Sequence, residues 1–313
     1  MKKIFLTGAA AILAAIAVTA CGGGSSSTTT AAPTTAAAAE TKAEETKAEE
    51  TKAEETKAEE TKAEETKAEE TKAEETKAEE AAGGTFTVGF DQDFPPMGFV
   101  GDNGEFTGFD LDLAKEAASR MGMEVVYQPI AWDSKDAELD AGTIDCIWNG
   151  FTINGREDGY TWSEPYMTND QVFVVTMDSG IASQADLAGK VVEVQVDSSA
   201  QAALNDLPEL TATFASIQTT PDYNTAIMDL QSGAVDAIAM DSTVAGYKIT
   251  TGGLDLVVLP DKFAEESYGI GFKKGNTELA EKVNAVLHEM AEDGTLEKIS
   301  NEWFGMDVTI IGK

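Results

Sequence analysis

ELDAGTIDCIWNG, residues 138–150, and DLQSGAVDAIAMD, residues 229–241, repeat one pattern. Leu139 and Leu230, Gly142 and Gly233, Asp145 and Asp236, and Ile147 and Ile238 fall at the same offsets. In each stretch a helical spacing stops at a glycine suited to a helix C-cap, and an apolar run of strand length follows. The segments ahead of them match more loosely: FTVGFDQDF (86–94) and VVEVQVDSS (191–199) both read as strands entering an acidic loop. Elsewhere strand and helix signals alternate, with strands at 85–89 and 124–128 around a helix at 111–121, which predicts an α/β fold of two similar lobes. In an open α/β sheet, ligands lie outside the carboxyl ends of the strands. For the two matched strands those ends are Asn149-Gly150 and Asp241, so each lobe offers polar groups to a shared cleft.

The apolar segments QVFVVTM (171–177) and SYGIGF (267–272) lie on either side of the second copy and read as paired crossover strands. The second lobe, 177–265, is then inserted in the first, 85–176 with 266–313. A helical run at 277–290 and a last helix toward Trp303 return to the first lobe.

Further out, the N-terminus has the layout of an export signal over residues 1–20: Lys2 and Lys3, an apolar run from Ile4 to Ala20, and small residues before Cys21. Val18-Thr19-Ala20-Cys21 resembles the bacterial lipobox, which implies lipidation of Cys21 and a chain anchored to a membrane that it does not cross. The alternative is a cleaved secretory signal with an incidental cysteine. Residues 21–84 read as a stalk, first Gly, Ser, Thr and Ala with Pro33, then eight ETKAE repeats. Like charges recur there at i,i+4 and no apolar stripe exists, so a solvated, partly helical or extended spacer is expected. Fully helical, the forty-odd residues of the repeats would reach roughly 60 Å at 1.5 Å per residue.

The net charge is −34; the repeats together with Glu80 hold 17 Glu and 8 Lys, so with Lys2 and Lys3 set aside the folded part carries about −27. Such a surface argues against nucleic acid and anionic lipid as partners. Cys146, inside apolar IDCIW, is the only cysteine of that part, which excludes a disulfide framework and reads as a buried, inert thiol.

GFDLDLAKEAASRM (108–121) resembles the signature of the family 3 bacterial extracellular solute-binding proteins. WSEPY (162–166), SQADLAGKVVEVQVDSSA, VDAIAMDS, YGIGFKKGN and AEDGTLEKISNEWFG match in order, so the resemblance covers Thr85 to Gly305. It implies a two-lobed, type II periplasmic-binding-protein-like fold that captures amino acids for an ABC transporter permease. Asp110 and Asp112 read as N-cap and first-turn charges of the helix, not as a catalytic pair.

Only two arginines occur in the chain, and Arg156 stands in the polar loop WNGFTINGRED (148–158) after the first matched strand. A guanidinium holds a carboxylate through two parallel hydrogen bonds, which a lysine ammonium does not. The resemblance gives Arg156 the ligand's α-carboxylate, although the loop is one residue shorter than the family's pattern near Gly155. The competing reading is a surface pair with Glu157 or Asp158. Arg120 has a sufficient reason in the last turn of a helix. The resemblance further assigns Asp241 to the α-ammonium group, against an alternative role as helix cap. It gives Thr152 and the backbone of Asn149 and Gly150 supporting contacts, Ser198 and Ser199 the carboxylate, and Phe94 and Trp132 the ligand's side chain. Asp197 stands where the family usually has glycine. Trp148 reads as packing, and His288, the only histidine, as a surface or packing residue.

The expected function is capture of an amino acid or related zwitterion, with no cofactor and no metal. The rivals are a sensor for a signalling partner and a dehydratase-like enzyme of the same fold. No metal-ligand spacing, nucleophile–base arrangement or phosphate loop supports an enzyme.

Overall fold

β1 (Thr85–Phe90) leads into a small antiparallel sheet of β2 (Asp93–Phe94), β3 (Gly98–Val100) and β4 (Phe106–Thr107), followed by α1 (Phe109–Arg120) and β5 (Glu124–Pro129). A 3-10 turn at Trp132–Ser134 enters α2 (Lys135–Ala141), and β6 (Cys146–Thr152), β7 (Thr161–Trp162) and β8 (Met167–Thr176) follow. Next come β9 (Val191–Gln195), α3 (Ser199–Asn205), α4 (Pro208–Thr211), β10 (Ser216–Thr220), α5 (Tyr223–Ser232), β11 (Ala237–Asp241) and α6 (Ser242–Gly252). β12 (Leu256–Phe272), α7 (Thr277–Glu292) and α8 (Thr295–Phe304) complete the order. The structure is a computed structural model that describes residues 83–313. The expected export signal, Cys21 and the repeat stalk lie outside the described residues.

The main sheet runs β10-β9-β11-β8-β12-β6-β1-β5. Its two ends are alike. β1 pairs in parallel with β5 and β6, and β9 pairs in parallel with β10 and β11. Between these triplets β8 and β12 run antiparallel to each other, joining the halves. The two copies of the sequence pattern take matching places, α2 into β6 and α5 into β11. Gly142 and Gly233 end their helices at φ 75° and 77°, the left-handed conformation that a side chain would resist.

Every residue of β6 and of β11 is buried, as expected of strands covered on both faces. One apolar cluster runs beneath both halves, from Leu111 and Leu113 of α1 to Ile227 and Leu230 of α5. Smaller clusters fill the other faces, Phe173, Val192 and Ala239 in one half and Leu139, Ile147 and Phe151 in the other. The crossover strands extend further than the sequence suggests. β12 begins at Leu256 and pairs Val258 with Val174, and Phe173 and Val175 pack in the core of the half that holds β9. β8 therefore starts in one half and ends in the other.

The start of α1 departs from the local expectation. Gly108 occupies the N-cap position and no side chain caps the helix. Asp110 is wholly buried, and its Oδ2 accepts hydrogen bonds from Gly150 N at 2.6 Å and Tyr166 Oη at 2.8 Å. A tertiary demand, fixing the end of β6, outweighs the local capping rule. Asp112 accepts from Trp303 Nε1 at 2.8 Å, which ties α1 to α8.

Burial pushes the Asp110 carboxyl up to about 7, against the opposing hydrogen bonds from Tyr166 and Gly150. The native chain thus keeps a proton that the unfolded chain releases near pH 4, and stability from this group is lost as pH rises toward 7. Asp110→Asn is expected to gain on the native protein in melting temperature between pH 4.5 and 7.5. An equal difference at both pH values would show that Asp110 carries no such proton.

Candidate functional site

The carboxyl ends of β6, β9 and β11 meet at a small, tightly closed cavity lined by Phe94, Trp132, Asn149, Gly150, Thr152, Arg156, Gln195, Ser198, Ser199 and Asp241. All nine residues singled out in the sequence are brought together, and Gln195 joins them. The first half contributes Phe94 from β2, Trp132 from the 3-10 turn, three residues of β6 and Arg156 from the following loop. The second contributes the end of β9, the start of α3 and the end of β11.

β6 presents its end to the cavity through Gly150, at φ 56°. A β-carbon there would stand 3.1 Å from Phe94 and 3.2 Å from Tyr268, so the missing side chain lets both rings close on the backbone. The Gly150 N–H is taken by Asp110, which leaves this donor unavailable to a ligand. Asn149 fixes the neighbouring loop, its Oδ1 accepting from Asp91 N at 2.7 Å, while its buried Nδ2 has no partner among the described residues.

The shortened loop closes tightly, with Arg156 N donating to Ile153 O at 2.9 Å and Gly155 at φ 78°. Its guanidinium lies 5.3 Å from the centre of the Phe151 ring and donates to Asp197 O at 3.0 Å and, more weakly, to Thr152 O at 3.4 Å. Among the described residues it makes no ion pair with Glu157 or Asp158. Trp132 meets Phe151 edge-on at 5.5 Å and donates Nε1 to Asp197 O at 3.2 Å.

Asp241 occupies the N-cap position of α6, but its side chain makes no capping bond. Asn169 Oδ1 serves that end instead, accepting from Thr243 N at 3.2 Å and Thr243 Oγ1 at 2.8 Å. Asp241 Oδ1 accepts from Tyr268 Oη at 2.7 Å and Asn169 Nδ2 at 2.9 Å. Glu266 stands beside it, held by Asn169 Nδ2 at 2.7 Å and Gln171 Nε2 at 2.8 Å. Burial first, and the Glu266 charge second, push the Asp241 carboxyl well above the usual carboxylate range. Ser198 caps α3 through Gln201 N at 3.1 Å, and Ser199 Oγ accepts from Gln171 Nε2 at 3.1 Å.

Gln195 was not legible as a site residue because its role depends on a distant partner. Its Nε2 donates to Asp91 Oδ2 at 2.7 Å and to Pro221 O at 3.0 Å, linking the two halves. Asp91 is pushed up to about 6 by burial, against hydrogen bonds from Asp93 N and Gln195. Cys146 is buried away from the cavity lining, its thiol pushed well up by burial and then by Asp145. Exposed His288 meets Glu164 at 3.0 Å, remote from the cavity lining. Trp148 is core packing.

Two parallel-stranded halves, joined by a pair of crossover strands and closed on a polar cavity at their strand ends, define a two-lobed binding fold. Residues 86–306 match the bacterial extracellular solute-binding proteins, family 3, and the chain belongs to that family. It is 34% identical to the L-cystine-binding protein TcyJ of Escherichia coli K12, over 72% of this chain and 85% of that one. It is 33% identical to the arginine-binding extracellular protein ArtP of Bacillus subtilis, over 69% and 85%. A substrate-binding protein of an ABC uptake transporter from Streptococcus pneumoniae, solved with bound histidine, superimposes with a TM-score of 0.70 at 36% identity, covering 72% of this chain and 94% of that one.

Proposed function

We propose that the cavity captures a free α-amino acid and that lobe closure delivers it to an ABC transporter permease. The observation that carries this reading is the placement of a forked cation, Arg156, and a buried carboxylate, Asp241, on one small cavity from opposite halves. Arg156 holds the ligand's carboxylate, with Ser198 and Ser199 adding hydroxyl groups, and Asp241 holds the ammonium group. Phe94 and Trp132 flank the ligand's side chain. The halves hinge where β8 and β12 cross, near Asn169–Gln171 and Ala264–Glu266, so contacts from Asp241, Ser198 and Ser199 complete the site only on closure. No chemical step is assigned to any cavity residue.

Calorimetry with L-cystine, L-arginine, L-histidine and the other common amino acids should find at least one ligand at micromolar or tighter affinity, about −8 kcal/mol. Its N-acetyl and carboxamide derivatives should bind far more weakly. If no free amino acid binds, or if both derivatives bind equally well, the reading fails. Native mass spectrometry of the purified protein identifies any retained ligand.

The N-terminal reading belongs to the same proposal: Cys21 is lipidated and the stalk holds the binding domain off the outer face of the cytoplasmic membrane. Cys21→Ser should move the chain from the membrane fraction to the soluble extracytoplasmic fraction. Incubation with cyclic acids and a search for dehydrated product tests the rival enzyme reading.

A further inference from the structure

Asp197 is the only non-glycine residue with a positive φ among the described residues, at 56°. An L side chain there meets a steric penalty that glycine avoids. Two features of the closed geometry depend on this residue. Its left-handed backbone turns the carbonyl toward the other half, where Trp132 Nε1 at 3.2 Å and Arg156 Nη2 at 3.0 Å both donate to it. Its carboxylate forms an ion pair with Lys135. Lys135 is itself 1% exposed, and its ammonium also lies 3.4 Å from Trp132 O and 5.3 Å from the Trp132 ring centre. Asp197 N in turn donates to Gln201 Oε1 at 2.7 Å, bracing the loop from α3. Three groups of one half therefore converge on a single residue of the other.

We propose that Asp197 is a positioning residue: its pair with Lys135 latches the halves closed, and its carbonyl holds the Arg156 fork toward the cavity. This rests on the reading of Arg156 as the carboxylate clamp. Glycine at this position would relieve the backbone and could still present a carbonyl, but it would leave the buried Lys135 ammonium without its carboxylate. An unpaired buried cation opposes closure, so the latch acts on the closed state. Its effect falls on ligand release more than on ligand arrival.

The test uses Lys135→Met, Asp197→Asn and the double variant, with L-cystine, L-arginine and L-histidine as probes in stopped-flow dissociation. Each single variant should release its ligand about tenfold faster, and the double variant should be no faster than either single one. Asp197→Gly should release ligand faster as well, without a lower melting temperature in the absence of ligand. A second readout needs no ligand. Spin labels at Ala137→Cys and Asp206→Cys, in a chain carrying Cys21→Ser, should report a longer interlobe distance in the Asp197→Asn background. An unchanged distance together with wild-type release rates, or strictly additive effects in the double variant, would overturn the latch. A lengthened distance in a protein that binds none of the probes would leave the latch standing and count against amino-acid capture.

Discussion

Arg156→Ala is expected to weaken amino-acid binding by about 10²- to 10³-fold, roughly 3–4 kcal/mol, the cost of truncating one member of a hydrogen-bonded charge pair in a partly desolvated site. The loss should appear in calorimetric affinity far more than in folding, because Arg156 lies in a loop, belongs to no core cluster and touches one through Phe151. Arg156→Lys separates charge from shape. It keeps the cation but replaces the planar fork with a point charge, which also lacks the geometry to reach Thr152 O and Asp197 O together. Lysine should restore only a minor part of the affinity. Wild-type affinity in the alanine variant would remove Arg156 from the site, and full recovery by lysine would show that charge alone suffices.

The repeated pattern was legible because its physics is local. A glycine that ends a helix at positive φ and a strand buried on both faces leave marks within a dozen residues, and α2–β6 and α5–β11 carry those marks in the same places. The cavity residues were legible in another way, through resemblance: nothing in the spacing of Phe94 and Ser199 alone brings them together. Side-chain partners chosen across the fold were not legible. Asp110 looked like a helix-start charge, yet its partner is Gly150 N, forty positions away in sequence. Asp241 looked able to cap α6, but Asn169 from β8 takes that role and leaves the carboxylate to the cavity. Lys135 gave no signal as a buried cation because its partner, Asp197, lies in the other half.

These supporting side chains share a consequence for the site. Arg156 is oriented by backbone carbonyls from both halves, and Gln195 is fixed by a carboxylate and a carbonyl on either side of the cleft. Arg156 and Gln195 thus each take one hydrogen bond that exists only when the halves meet. Under the proposed capture, closure would complete the setting of these two side chains while the rest of the lining is already fixed within each half.

Asp241→Asn is expected to cost about a hundredfold in affinity, with a diagnostic change in pH dependence. An ammonium group needs the ionised carboxylate, but burial and neighbouring Glu266 hold the Asp241 proton well above the usual range. Ligand binding must therefore expel that proton, so affinity should rise with pH through the raised pKa and fall by up to tenfold per unit below it. The surrounding hydroxyls do not compete, since Tyr223 and Tyr268 are themselves pushed well up by burial and then by Asp241. Asp91, raised to about 6 and hydrogen-bonded to the lining residue Gln195, adds a smaller component at the acid end. In the asparagine variant the Asp241 part of the slope should vanish. Glu266→Gln should keep binding but move the midpoint to lower pH, because the repelling charge is gone. The stability effect has the opposite sign: a carboxyl with a raised native pKa loses stability as pH rises, so Asp241→Asn should gain on the native protein in melting temperature toward neutral pH. Weaker binding in a protein that is no less stable cannot come from unfolding. Calorimetry in buffers of different ionisation enthalpy counts the expelled protons directly; none released by the native protein, or an unaltered pH slope in Asp241→Asn, would show that Asp241 does not meet the ligand's ammonium.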